Sequence, residues 1–406
     1  MLPSCEQGHP DNGPGHRVVI VTGEIIVVLV VAVALVFDFT NGFHDTANAM
    51  ATTIATGALK PKVAVGIAAI LNFAGAFISI TVAATVAKGI VDAGVITTTA
   101  IFAGLVGAIA WNLATWWFGI PSSSSHALIG GMIGAAVASV GFSAVEGEGV
   151  LSKVIVPALI APVLAGVVAL GATVIVYRMI RNFAAERAER GFRWAQVASS
   201  SMVALAHGTN DAQKTMGVIS LALIANGNLS ATNFDVPDWV VFSCAAAIAL
   251  GTYTGGWRII KTLGTKVTEV RPPQGFSSEE VAATVILASS HFGYPLSTTH
   301  VVSGAVTGSG VGRPGAQVDW SVARRIVTGW VLTLPAAGVT AAVVFWVTDI
   351  FGEDSAVGPI AVTICLAIAC FFLWRANKAS QVDPDSVYHD DFAEPAPVPE
   401  LEVVNA

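Results

Sequence analysis

Two ten-residue stretches hold the side chains with the strongest chemistry in this chain. The first, "NGFHDTANAM" (41–50), carries Asn41, His44, Asp45 and Asn48; the second, "HGTNDAQKTM" (207–216), carries Asn210, Asp211, Gln213 and Lys214. Gly42/Gly208, Asp45/Asp211 and Met50/Met216 share one offset, so the stretches read as two copies of one motif. Both lie between apolar runs, where an ionisable residue is costly and functional by default. Asp45, Asn48 and Asn41 on one side, and Asp211 and Asn210 on the other, offer oxygen donors that suit a hard cation such as Na⁺ or Mg²⁺. His44 stands where the second copy has Asn210, and a titratable group there permits proton coupling. A hydrogen-bonded structural histidine is the competing reading. Lys214 can neutralise Asp211 as a simple ion pair or present its charge to an anion, and Gln213 is a candidate polar ligand.

A second pair of motifs points to the anion itself. "FGIPSSSSHALIGGMIG" (118–134) and "FGYPLSTTHVVSGAVTG" (292–308) align without gaps, matching Pro121/Pro295, Ser123/Ser297, His126/His300, Gly130/Gly304 and Gly134/Gly308. A Pro followed by Ser/Thr and a new apolar run is the start of a helix. Its free backbone N–H groups and positive dipole end attract anions. Ser123, Ser124 and Ser125, and Ser297, Thr298 and Thr299, add hydroxyl donors that solvate an oxyanion yet let it leave. The bland alternative is that they only cap and pack. His126 and His300 follow each cluster, either orienting the tips or touching the substrate. Two carboxylates beside an anion look contradictory until a cation joins them: only the cation-loaded site then holds the anion.

The surrounding elements must be membrane helices. Of 406 residues, 54% are hydrophobic and 12% are charged, against roughly 25% charged in soluble domains, and the mean hydropathy is +0.71. Apolar runs long enough to cross about 30 Å of hydrocarbon recur, without the period-2 alternation of a barrel. The class is an all-α polytopic membrane protein. The net charge of −7 sits largely in the tail. Cys5, Cys244, Cys365 and Cys370 have no framework spacing, and three lie in apolar runs as small core residues. No basic region with a cleavage site opens the chain, so the first apolar run reads as retained.

Basic loops mark the cytoplasm. They place 181–193 (Arg181, Arg187, Arg190, Arg193) and the Arg258–Arg271 stretch inside, and the acidic 225–238 outside. The stretch 194–225 then makes one crossing although it exceeds the about 20 residues needed, which predicts a helix broken at the polar motif. The stretch 25–59 reads the same way, followed by a passage over 63–87. Apolar segments at 95–118 and 126–145, and at 277–292 and 300–312, predict two re-entrant helical hairpins whose tips meet near the midplane. Segments 322–348 and 357–374 complete the set. The organisation is therefore two inverted-topology repeats with broken helices: an extracellular segment 1–24, a first repeat 25–180, a cytoplasmic basic loop 181–193, a second repeat 194–374, and a disordered acidic cytoplasmic tail 375–406. Broken helices in inverted repeats mark the binding site of a secondary transporter.

"FDFTNGFHDTANAMAT", "MVALAHGTNDAQKTMG" and the paired "PSSSSH" and "PLSTTH" tips closely resemble the inorganic phosphate transporter (PiT) family, over about 25–374. The resemblance implies inverted repeats with two re-entrant hairpins, a homodimer, and a multi-pass plasma-membrane location. It implies phosphate contacts at Ser123, Ser124, Ser125, Ser297, Thr298 and Thr299, and cation contacts at Asp45, Asn48, Asp211, Asn210 and Gln213. The first copy reads "GFHD", as in the bacterial low-affinity, proton-coupled branch, whose substrate is described as a neutral metal–phosphate complex. The expected function is a symporter importing inorganic phosphate with H⁺, with no resident cofactor or metal and no nucleic-acid partner. The alternatives are a Na⁺-coupled phosphate or sulfate symporter, an anion channel, and an intramembrane serine hydrolase. The symmetric duplication of the Ser/Thr clusters argues against a hydrolase.

Overall fold

A computed structural model describes residues 14–232, 234–352 and 355–387, with side chains from Thr22 onward. Among these residues there is no strand beyond isolated bridges at Val91–Val145 and Thr268–Val318. The first half contains α1 (Pro14–Ala55), α2 (Pro61–Gly75), α3 (Thr81–Lys88), α4 (Thr98–Trp117), α5 (Ser124–Val140), α6 (Gly147–Val150) and α7 (Val156–Ile180). A π-helical turn at Leu151–Ile155 joins the last two. The second half contains α8 (Ala185–Ala225), α9 (Asp238–Thr254), α10 (Trp257–Lys261), α11 (Pro272–His291), α12 (Thr298–Gly312), α13 (Trp320–Asp349) and α14 (Val357–Ala379).

Among the described residues, five helical stretches are long and apolar enough to cross a membrane: Thr22–Ala55, Thr98–Trp117, Gly147–Ile180, Trp320–Asp349 and Val357–Ala379. The bent pair Asp238–Thr254 and Trp257–Lys266 makes a sixth. Their outer faces expose Leu159, Val163, Val339, Val343, Ile368 and Phe372, the surface a lipid-facing helix presents. Of the cysteines, Cys244 is buried as expected, whereas Cys365 is exposed on α14.

The expected breaks at the two polar motifs do not occur. Helices α1 and α8 run unbroken through Asn41–Met50 and His207–Met216. No proline interrupts Thr22–Ala55 or α8, and polar side chains alone do not unwind a helix when they find partners. Thr46 donates to the Gly42 carbonyl and Thr209 to that of Leu205, each four residues back. The excess length extends the helices: 42 residues at about 1.5 Å each reach well beyond the hydrocarbon. The discontinuities lie next door, in segments that read as simple passages. The 63–87 passage is two helices, parted after Gly75, and the 239–257 passage bends by 60° at Gly255–Gly256. Gly255 has φ +70, a region L side chains avoid. A Cβ at Gly256 would strike the Phe43 carbonyl inside the first motif.

The helical hairpins form as expected: α4 with α5, and α11 with α12, turning at Gly119 (φ +63) and Gly293 (φ +72). Each packs on a long helix of the other half, α5 against α13 and α12 against α7. The same contacts recur in both halves. Helix α1 crosses α9 where Gly42 and Gly251 let the backbones touch, and α2 crosses α8 at Gly75 and Gly208. Two apolar clusters result, and they change over along α1 between Phe37 and Ala47 and along α8 between Ala206 and Ala212. Both polar motifs fall in that seam.

Two expected boundaries move. Residues 185–193 of the basic loop form the first turns of α8. Past residue 375, α14 continues to Ala379, and Val387 is fully buried against the second apolar cluster, so those tail residues are ordered. Residues 388–406 and 1–13 lie outside the described residues.

Candidate functional site

The seam brings the two aspartates together. Asp45, His207 and Asp211 each present a ligand atom within 4.8 Å of the others, and all three are buried. Asp45 Oδ1 sits 2.7 Å from His44 Nδ1, and its Oδ2 accepts from the Ser124 hydroxyl at 2.6 Å. Asp211 Oδ1 is 2.5 Å from Lys214 Nζ, and its Oδ2 is 3.2 Å from His207 Nε2. His207 Nε2 lies 4.0 Å from Asp45 Oδ2, so this ring faces both carboxylates, with no hydrogen bond to either among the described residues.

His207 was not among the expected site residues, although it opens the second motif. It aligns with Asn41, just as His44 aligns with Asn210. Each copy therefore holds one histidine and one asparagine, in exchanged positions.

The second-neighbour contacts define what His207 presents. The Asn72 amide donates to Thr252 Oγ1 at 2.7 Å, which turns its Oδ1 toward His207 Nδ1 at 3.1 Å. Nδ1 must then carry the proton donated to Asn72. Nε2 faces Asp211 and Asp45, and a bare lone pair between two carboxylates is repulsive. Nε2 is held comfortably only when it carries a proton or ligates a cation. His44 can likewise hold two protons, because Nδ1 has Asp45 and Nε2 has the Thr115 hydroxyl at 3.2 Å. Thr115 donates to the Trp111 carbonyl at 2.9 Å and accepts from the Ser122 hydroxyl at 2.8 Å, which leaves its oxygen one further lone pair.

The hairpin tips close on this cluster from both sides. Ser123 accepts from the His126 N–H and Ser297 from the His300 N–H, so each caps its helix, α5 or α12. These two serines do the bland job, and the next two residues of each tip reach the carboxylates or Lys214. Ser124 bonds Asn41 Oδ1 at 2.7 Å as well as Asp45. Ser125 receives the Lys214 ammonium at 2.5 Å. From the other tip, Thr298 lies 3.4 Å from Asp211 and Thr299 3.4 Å from Asp45, while the Asn48 amide donates to both hydroxyls at 3.3 and 3.0 Å. Lys214 also donates to the Leu296 carbonyl at 2.7 Å, so its charge is shared between a carboxylate and both tips.

Three expected site residues are engaged elsewhere. Gln213 Oε1 accepts from the N–H groups of Val82 and Ala83, capping the start of α3, where the chain resumes after its break. Asn210 donates to Ser290 at 2.8 Å and to the Tyr294 carbonyl at 3.3 Å, outside the carboxylate cluster. Asn41 offers its oxygen to Ser124 instead of joining that cluster. His126 and His300 meet edge to face at 4.6 Å, and His300 lies on Trp330 at 4.1 Å. Trp330 in turn donates to the Pro121 carbonyl at 3.2 Å, locking one tip to the other's histidine. Pro162 inside α7 leaves the Ala158 carbonyl without its helical donor, and His300 Nδ1 takes that carbonyl at 3.3 Å.

A further carboxylate went unnoticed in the sequence. Glu279 on α11 is buried and accepts from Thr52 at 2.5 Å, Thr53 at 2.7 Å, Gln196 at 3.0 Å and Ser199 at 2.5 Å. Its position two turns beyond Asp45 along α1 follows from Thr52 and Thr53. A single Glu beside Glu280 in an apolar stretch was the signal available.

Comparison with known proteins adds to this geometry. Residues 41–341 match the profile described as "Phosphate transporter family". The chain is 54% identical over 365 residues to a "Probable low-affinity inorganic phosphate transporter" of Mycobacterium tuberculosis, covering 90% of this chain and 87% of that one. It is 42% identical over 327 residues to a protein of the same description from Bacillus subtilis, covering 80% and 98%. A solved structure titled "The sodium-dependent phosphate transporter" superimposes with a TM-score of 0.72 at 25% identity, covering 80% of this chain and 99% of that chain.

Proposed function

Because the chain belongs to the phosphate transporter family, we propose that this multi-pass plasma-membrane protein is a symporter that imports inorganic phosphate with protons. That it transports phosphate and is not an enzyme follows from the family. The coupling ion, the direction and the residue roles are our reading. Phosphate would bind between the tips, on Ser124, Ser125, Thr298 and Thr299 and the Lys214 ammonium, with Asp45 and Asp211 behind them. Ser123 and Ser297 hold the helix starts that aim backbone N–H groups at the anion.

One observation supports proton coupling above the rest: His207 Nε2 stands between two buried carboxylates while Nδ1 is committed to Asn72. With Lys214 charged and both histidines neutral, Asp45 and Asp211 leave one net negative charge, which repels phosphate. A proton on His207 cancels it, and a second on His44 makes the centre positive. Anion binding is thereby conditional on proton loading, and alternating access delivers both together.

The competing reading is Na⁺ coupling, favoured by the sodium-dependent solved relative. A further variant is co-transport of a metal–phosphate complex: two carboxylates and one imidazole suit a divalent ion better than Na⁺. The family resemblance also favours a homodimer, which cross-linking in native membranes would test. Reconstitution into liposomes with radiolabelled phosphate decides the ion. Uptake driven by an inward proton gradient in Na⁺-free buffer, and insensitive to excess sulfate, is expected. Uptake that requires a Na⁺ gradient and ignores pH would overturn proton coupling. Asp45→Asn and Asp211→Asn should each abolish uptake while remaining folded; normal transport in both would remove the coupling role of this pair.

A further inference from the structure

One buried carboxylate has no place in the site described so far. Asp38 lies on α1, two turns before Asp45, is 0% exposed, and accepts no hydrogen bond on either oxygen from the described residues. Glu279, equally buried on the opposite flank, is surrounded by four donors. The contrast matters, because an ionised carboxylate in an apolar interior needs either donors or a counter-charge. Asp38 stands next to Phe37 in the first apolar cluster, and Val33 and Ala34 of the same helix belong to it too.

Polar groups of two helices face Asp38. Thr215 of α8 and Asn41 of α1 are its polar neighbours, and the charges acting on it are those of Asp211 and Lys214, with the Cys244 thiol of α9 also within its field. Lys214 is not available as its partner, since that ammonium is already held by Asp211, Ser125 and Leu296. Among the described residues the Thr215 hydroxyl has no hydrogen-bond partner. Helices α1 and α8 pack on one another, and each carries an unused oxygen beside the other, one of them a carboxylate.

We propose that Asp38, with the Thr215 hydroxyl, forms a second binding position for a transported monovalent cation, one turn beyond Asn41 from the Asp45–His207–Asp211 cluster. This rests on the symporter reading and deepens it. A cation there neutralises Asp38 and lies within range of Asp211, so its arrival and departure are felt by the phosphate site without touching phosphate. A proton and Na⁺ share the chemistry of one positive charge on a carboxylate, and the experiment separates them.

The full-length protein is reconstituted into liposomes and assayed in two ways: phosphate–phosphate exchange at zero gradient, which needs no net cation movement, and accumulation driven by a proton or a Na⁺ gradient. In Asp38→Asn the ratio of accumulation to exchange is expected to fall at least about tenfold, within the usual span of site-to-site coupling, under whichever gradient drives the wild type. The gradient that drives the wild type identifies the occupant. Thr215→Val, which keeps shape and removes the oxygen, should lower the same ratio and serves as the folding-safe second variant. An unchanged ratio in both variants, or equal loss of exchange and accumulation in both, overturns the proposal. A wild-type protein that accumulates phosphate under neither gradient overturns the symporter reading instead.

Discussion

At the residue scale, the site is organised by an exchange of histidine and asparagine between the two motif copies. His44 and Asn41 in the first copy become Asn210 and His207 in the second. In consequence the imidazoles reach the carboxylates by different routes, one from the adjacent residue and one from a turn away. His207→Gln removes the group between the carboxylates and is expected to flatten the pH dependence of uptake. His44→Gln should shift that dependence less, because Asp45 keeps Ser124. Initial rates between pH 5.5 and 8 test both, and an unaltered profile in His207→Gln would place the proton elsewhere. Asn72→Ala leaves every direct site residue in place yet frees the His207 ring. A loss of roughly 10–100-fold is expected, the usual effect of removing the partner that orients a ligand. Ser297→Ala deletes a helix cap, and should cost about 1 kcal/mol of stability with only modest loss of phosphate affinity, read by thermal unfolding and by uptake.

At the element scale, continuity and interruption are distributed by packing rather than by polarity. Helices α1 and α8 tolerate ten polar-rich residues because facing helices supply partners. The chain breaks instead beside them, after Gly75 and at Gly255, where the resumed helix α3 is capped by Gln213 and Gly256 presses on Phe43. Glycine at the crossings is a requirement of contact: a Cβ at Gly208 would meet the Asn72 carbonyl. Gly208→Ala should therefore destabilise by about 1–3 kcal/mol, and it would also displace Asn72 and so His207. Pro162→Ala is expected to act differently. It returns a helical donor to Ala158 and competes with His300, so thermal stability should hold or rise while uptake falls. Unchanged uptake would show that the His300 contact orients nothing of consequence.

At the scale of the whole molecule, the site occupies the seam between two apolar clusters, and each hairpin tip is braced by a long helix of the opposite half. Movement of one half therefore moves the other half's tip. The chain after α14 folds back on this assembly. Arg258 donates to the Ser380 carbonyl at 3.0 Å and its hydroxyl at 2.7 Å, and its guanidinium lies over Trp117 at 4.6 Å. Thr262 of the same stretch bonds the Gly119 carbonyl in the tip at 2.9 Å. Relative to a chain truncated after Val387, truncation after Ser380 removes the buried Val387 and should cost about 1–3 kcal/mol, as loss of a core aliphatic side chain does; equal melting of the two would show that the segment is only draped there.

Much of this was legible in residue order alone. Composition determined a helical membrane protein, because a chain this apolar cannot satisfy its backbone in lipid otherwise. The duplicated spacing of Asp45 and Asp211, and of the two Pro–Ser/Thr–His tips, determined the pairing of carboxylates with hydroxyl-bearing helix starts, since those side chains have no other reason to recur in apolar surroundings. Three things were decided only by the tertiary structure. The motifs are continuous helix, because satisfaction of Asn41, His44 and Asp45 depends on neighbours distant in sequence, Ser124 and Thr115. His207 belongs to the site, because its role is set by Asn72 and Thr252, which no spacing links to it. Gln213 and Asn210 bond α3 and the α11–α12 hairpin instead of the carboxylates, because which face of α8 meets the carboxylate cluster is fixed by how α2, α3 and α11 pack on it. Local sequence determines which groups are present; which of them meet is a property of the packed whole.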